Sequence, residues 1–299
     1  MLNYLGFILV LGGIYALLAQ SLMLSWGVTG MVNLGLAGFF ALGAYASAML
    51  TKWGGAPVPV GLLAAIVAGG VAGLVVTIST LRLRDDYLAL VTLGFAETIR
   101  LVAANEVWLT GGSDGISGIP SPFPRDLGAG FNGLYLVLVS VLALLALAAL
   151  NRLISSPWGR ALRAIREDQT VAAVAGKPVT RIKAEAFGIA AAIAGLAGAL
   201  YGHYTSYIAP DMFEPLITIY VFLAVTAGGN ARPLGALVGA YGLIVFVEGT
   251  RFAAALAPGI SAVQAASLRE IAVGLALLLL LRFKPAGLFP ERSQKAPIR

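Results

Sequence analysis

The chain has 299 residues, of which 59% are hydrophobic and only 11% charged, with a mean hydropathy of +0.89; a soluble domain carries about 25% charged residues, so this is a polytopic membrane protein. It has no Cys and one His, His203, which excludes a disulfide frame, a thiol nucleophile, a thiolate metal site and a histidine metal cluster. The formal charge of +6 is explained by basic loops on one side of a membrane rather than by nucleic acid as a partner.

Apolar runs predict nine spans, near 4–24, 29–51, 57–80, 86–105, 131–151, 184–202, 216–229, 233–255 and 268–283. The expected fold is all-α, a helical bundle of about 8–10 spans, with residues 1–299 forming a single transmembrane domain. Met1–Tyr4 carries no basic residue, so the first run is expected to be a retained span. The run at 216–229 is short and is expected to be a half-helix or re-entrant turn. Small residues four apart, as in Ala37/Ala41, Gly69/Gly73, Gly188/Ala192, Ala191/Gly195 and Gly235/Gly239, predict closely packed inner helices, some of them broken.

Charges test this order. Arg82 and Arg84 fall inside. Glu106, Asp114, Arg125 and Asp126 are net acidic and fall outside, as do Asp211 and Glu214. Arg232 is inside, the uncharged 257–266 loop outside, and the tail from Arg282, with five basic residues and one acid, inside. The C-terminus is expected to be cytoplasmic.

Between the fifth and sixth runs lies the one long polar interruption. From Arg152 to Lys183 seven basic residues face two acids, which accounts for +5 of the charge. Ser155 or Ser156 as cap and Pro157 at the first position open a short helix, and Gly176 followed by Lys177-Pro178 stops it. A short basic helix on a membrane face needs a partner. Two E-x-x-R pairs lie in the outer parts of spans, Glu97/Arg100 and Glu248/Arg251. Each puts opposite charges on one helix face, as an internal ion pair or a polar gate lining. The loop Thr110–Pro120, with Gly111, Gly112, Asp114 and Gly115, is rich in turn formers but lacks the Gly-Lys-Ser/Thr of a phosphate cradle. With no nucleotide loop, catalytic constellation or metal motif in the sequence, the chain is expected to move or sense a solute rather than act as an enzyme.

The run Trp158-Gly159-Arg160-Ala161-Leu162-Arg163-Ala164-Ile165-Arg166-Glu167-Asp168, followed by Ala172-Ala173 and Gly176, resembles the cytoplasmic loop of the permeases of branched-chain amino acid ABC importers, of the LivM/LivH type and closer to LivM. Asp86–Phe95 running into Glu97 and Arg100, the loop Leu109–Pro120, and Lys284–Phe289 are similar to the same family. The resemblance implies an ABC importer permease fold, a second permease subunit as heterodimer partner, ATPase subunits that hold ATP and Mg, and an extracytoplasmic solute-binding protein. It implies leucine, isoleucine or valine as cargo; related permeases serve urea, short amides and other amino acids. It makes residues 152–183 the ATPase-coupling loop, with Arg160, Arg163, Arg166, Glu167 and Asp168 as contacts. These cannot all share one helix face, so some are expected to meet lipid headgroups. The wider importer signature is met only in part: Val171 stands where a Glu is expected, and two rather than three residues separate Ala173 from Gly176. The alternatives are a stand-alone secondary transporter or channel for a small polar solute such as urea or an amide, and, less favoured, a membrane enzyme.

Overall fold

Glycine and alanine decide how closely the helices of this bundle approach. In the structure, a computed structural model that describes residues 2–80, 85–255, 262–284 and 286–290, a helix occupies each of the nine apolar runs. These are α1 (Leu2–Leu22), α2 (Leu36–Lys52), α3 (Val58–Thr80), α4 (Asp85–Asn105), α6 (Ala129–Ser155), α9 (Val179–Thr205), α10 (Leu216–Gly228), α11 (Pro233–Ala255) and α12 (Ala262–Phe283). Three short helices lie between them: α5 (Val107–Thr110), α7 (Pro157–Glu167) and α8 (Gln169–Val174). Among the described residues, seven stretches are long and apolar enough to cross a membrane. Helix α2, at 17 residues, is a shorter apolar helix, and α12 is not among the seven. The chain is a multi-pass membrane protein.

α1 and α9 are the inner helices. From Val10 onward α1 is buried on nearly every side, and α9 buries sixteen of its 27 residues. α2, α3 and α9 meet backbone to backbone. A Cβ on Gly43 would fall 2.1 Å from the Gly195 carbonyl, and one on Gly198 would fall 1.9 Å from that of Phe40. In lipid such close packing replaces hydrophobic burial as the force between helices.

The second run departs from expectation. It does not begin as a helix at 29; α1 runs on as a π-helical turn, Met23–Val28, and residues 29–35 are non-helical. Side chains compete for the backbone here. Asn33 Oδ1 accepts from Gly35 N at 3.0 Å, Leu34 N donates to Thr92 Oγ1 at 3.1 Å, and Ala37 N donates to Thr218 Oγ1 at 3.2 Å. Irregular backbone inside a membrane protein survives only where protein groups satisfy it in this way. α10 has 13 residues and follows a 3-10 turn at Pro210–Phe213; together Pro210–Gly228 is one of the seven stretches long and apolar enough to cross a membrane, where a half-helix or re-entrant turn was expected. Phe213 is buried against Phe40 and Tyr45.

The two ends of the bundle differ in charge. One carries α7, α8 and Arg232 and is termed the basic end; the other carries Glu106, Asp114, Asp211 and Glu214 and is termed the acidic end. At the acidic end the loop after α4 pairs with the loop after α9. β1 (Ile116–Ser117) and β2 (Tyr207–Ile208) are antiparallel, with Ile116 opposite Ile208. The expected positions of Arg82 and Arg84, of residues 257–261 and of the tail beyond residue 290 lie outside the described residues.

Candidate functional site

Helices α7 and α8 form a polar hairpin at the basic end. Ser156 Oγ accepts from Gly159 N at 3.5 Å and Pro157 occupies the first turn, as the cap signals predict. The helix does not continue to Gly176. Asp168 is extended and breaks it, and its carboxylate accepts from Thr170 N at 2.8 Å and Val171 N at 3.0 Å to cap α8. Gly176, at φ +76°, then closes α8: its N–H returns to Ala173 O, and that of Lys177 to Ala172 O.

The hairpin sorts its polar residues into two groups. One group seats it. Ala161, Leu162 and Ile165 form the buried face. Gly159 lies so close to the end of α6 that a Cβ would sit 2.2 Å from the Ile154 carbonyl. Trp158 Nε1 donates to Glu185 Oε2 of α9 at 3.0 Å, and the same carboxylate takes Arg181 at 2.8 Å. Arg166 donates from Nη1 to the carbonyl of Gly27, in the π-helical end of α1. Its side chain also packs on Gly30, whose Cβ would lie 3.0 Å from Arg166 Cγ. Arg166 thus points into the protein, not toward headgroups.

The second group faces out. Arg160, Glu167, Asp168 and Lys177 are exposed and Arg163 is half-buried. Beside them stand two apolar side chains that charge-based reading passed over: Val171 is 64% exposed and Val174 is 86% exposed. Their signal in the sequence was the departure at Val171 itself, an apolar residue where an acid was expected. The outward surface is therefore a basic and acidic rim around a small apolar patch, carried on a hairpin fixed to α1, α6 and α9.

At the acidic end, Glu97 and Arg100 form the ion pair their spacing suggests, with Arg100 Nη2 2.6 Å from Glu97 Oε1 and Nε 3.0 Å from Oε2. Arg100 also reaches Asp211 at 3.7 Å. Glu248 accepts a hydrogen bond from Tyr4 of α1; the side chain of Arg251 lies outside the described residues. The loop of Gly111, Gly112, Asp114 and Gly115 is ordered, with all three glycines at positive φ. His203 is buried, its Nε2 at 2.8 Å from Ser47 Oγ and its Nδ1 at 2.6 Å from the Pro120 carbonyl, a packing role at the α9 terminus. Among the described residues no three of His, Asp and Glu gather in a way that could hold a metal ion.

Comparison with known proteins identifies the family of the chain. Residues 4–281 match the family described as branched-chain amino acid transport system / permease component. The chain is 36% identical, over 258 residues, to the high-affinity branched-chain amino acid transport system permease protein LivM of Salmonella typhimurium; the match covers 79% of this chain and 61% of that protein, so the chain spans about three fifths of that relative's length. It is 26% identical to the probable LivM of Methanocaldococcus jannaschii, across 99% of this chain and 96% of that one. It is 29% identical to LivH of Escherichia coli, across 93% and 92%. No solved structure matches significantly.

Proposed function

The chain belongs to the family of branched-chain amino acid transport permeases, and we propose that it is one membrane-spanning subunit of an ATP-driven importer for leucine, isoleucine or valine. Its partners in this reading are a second permease subunit, an ATPase pair that binds ATP and Mg, and an extracytoplasmic binding protein. The basic end faces the cytoplasm of a bacterial inner membrane, and residues 1–299 act as one permease domain with no chemistry of their own. The observation that carries the reading is the hairpin α7–α8, which combines an outward surface with an inward seat. Arg160, Arg163, Glu167, Asp168, Val171 and Val174 are the surface offered to the ATPase. Trp158 and Arg166 carry any displacement of that surface to α9 and to the π-helical end of α1, so that packed helices shift as rigid bodies.

The test is charge reversal on the outward face alone. The double variant Arg160→Glu, Arg163→Glu leaves the Arg166 and Trp158 contacts in place and sets like charges beside Glu167 and Asp168. Juxtaposed like charges cost an interface several kcal/mol, so the ATPase is expected to co-purify at less than about a tenth of the wild-type level while the permease inserts normally. The Lys pair should recover only part of the loss, because an ammonium does not replace a guanidinium fork. Full ATPase recovery and wild-type leucine uptake by the Glu variant would overturn the coupling assignment.

A further inference from the structure

The tail segment Lys284–Phe289 belongs to neither the hairpin nor the acidic-end loops. α12 ends at Phe283, and Gly287, at φ +67°, turns the chain back, its N–H donating to Lys284 O at 3.0 Å. The segment then lies along the turn between α10 and α11. Leu288 N donates to the carbonyl of Ala227 and Phe289 N to that of Gly228, both at 2.9 Å. These carbonyls belong to the last turn of α10, which a helix leaves without partners of its own. Glycines allow the approach from both strands of the contact. A Cβ on Gly287 would fall 2.6 Å from Gly229 N, and one on Gly229, at φ +116°, would fall 2.4 Å from the Phe289 carbonyl. Main chain thus meets main chain, with no flexible side chain between them to yield.

The same turn carries the end of α1. A Cβ on Gly27 would sit 1.4 Å from the Asn230 carbonyl, and the Trp26 ring lies 4.9 Å from that of Phe222 on α10. The carbonyl of Gly27 accepts from Arg166 of the hairpin. Near its other end α10 accepts from Ala37 N through Thr218 Oγ1, where α2 begins. Contacts therefore run without a gap from the hairpin through the end of α1 to α10 and on to α2. Packing of Gly27 on Asn230 and of Trp26 on Phe222 can slide. The two bonds from the tail are directional and hold the turn in register. We infer that Lys284–Phe289 is a strap that ties the α10–α11 turn to α12 and keeps it seated on the end of α1, so that a displacement of the hairpin is delivered to α10 instead of being lost at the turn. Gly287 and the N–H groups of Leu288 and Phe289 are its positioning elements. This rests on the importer reading above.

The full transporter, purified through the permease together with its partner subunits, is reconstituted in vesicles. Import of radiolabelled leucine is measured per ATP hydrolysed, and the ATPase that co-purifies is quantified in parallel. Gly287→Ala puts a Cβ into the Gly229 backbone at a φ that L residues avoid. Leu288→Pro removes one of the two donors. Leu288→Ala keeps that donor and removes only a side chain that is 61% exposed. The ratio should fall about tenfold for Gly287→Ala and about threefold for Leu288→Pro, as the loss of two and of one main-chain hydrogen bonds requires. ATPase co-purification should stay at the wild-type level in both, and Leu288→Ala should match the wild type throughout. If Gly287→Ala fails to assemble, Leu288→Pro decides by the same criterion; failure of both would make the tail a folding element and overturn the inference. An unchanged ratio in the assembled strap variants, an equal loss in Leu288→Ala, or a parallel loss of the ATPase overturns it as well, while the importer reading stands. A wild type that imports none of leucine, isoleucine and valine, or imports them without the ATPase, overturns the importer reading and this inference with it.

Discussion

The acidic end is closed largely by backbone, whereas the hairpin at the basic end is held by side chains. At the acidic end, segments about ninety residues apart are joined through main-chain groups. β1 pairs with β2, and Ile119 N donates to Ser206 O at 3.2 Å. Ser206 Oγ returns a bond to Ile119 O at 2.8 Å, Lys52 reaches the Ser117 carbonyl, and Arg125 caps the end of α9 through the Tyr204 carbonyl at 2.8 Å. At the basic end the hairpin is one continuous segment held on the other helices by side chains, among them Trp158, Arg166 and Gln169, which accepts from Lys183 of α9 at 3.0 Å, and by one apolar face. A ladder of main-chain bonds opens only as a unit; a seat made of a few side chains can tilt while keeping its contacts. The acidic end is thereby suited to a fixed rim, and the basic end to a part that moves.

The largest effect should come from Gly27, where the hairpin's seat meets the bundle. A Cβ there would lie 1.4 Å from the Asn230 carbonyl, in the turn between α10 and α11. That turn is itself pinned, because Leu288 N and Phe289 N donate to the carbonyls of Ala227 and Gly228 at 2.9 Å. With no side chain free to give way, Gly27→Ala must push backbone, and a cost of about 3 kcal/mol is expected. Thermal unfolding of the purified protein measures it. Wild-type stability would show that the seat is loose already, and the contrast between the ends would have to be redrawn.

A smaller loss is expected from Gly115→Ala at the acidic end. Gly115 sits at φ +69° and ψ −163°, a region essentially reserved for glycine, and its Cβ would fall 2.0 Å from the Ile208 carbonyl. This loop is at the surface and can shift, so about 2 kcal/mol is expected, with faster protease cleavage between 106 and 120. ATPase recruitment should remain at the wild-type level, since the hairpin lies at the other end. Impaired recruitment would mean that the two ends are not independent.

The same contrast explains what could be read from the sequence. The hairpin is local: Ser156, Pro157 and Gly176 announce its ends, and the nine apolar runs announce the long helices. Asp168 was read as a docking charge, yet its carboxylate is equally a helix cap, and that use splits α7 from α8. The inward turn of Arg166 depended on Gly27, 139 residues away, which no local pattern reports. β1 and β2 are two residues each and too short to leave a period. The unwound stretch 29–35 was hidden inside an apolar run, because the groups that stabilise it, Thr92 and Thr218, belong to other helices.

The smallest effect concerns the Glu97–Arg100 pair, and it tests whether the acidic end needs its charges at all. The pair is well aligned, yet the Arg100 and Glu97 side chains keep 24% and 38% of their exposure, and Asp211, at 3.7 Å, is 84% exposed. Solvent screening at such exposure leaves an ion pair worth about 0.5–1 kcal/mol. Glu97→Gln and Arg100→Gln should therefore each lower stability and transport only modestly, and Arg100→Gln slightly more, because it also frees Asp211. If the two residues act on each other, the double variant recovers part of the combined loss, with a coupling energy in that range from a double-mutant cycle. Strict additivity would mean that the residues act separately. A coupling of several kcal/mol would mean that the rim depends on this pair as a buried interface does, and not on the main-chain bonds that otherwise close it.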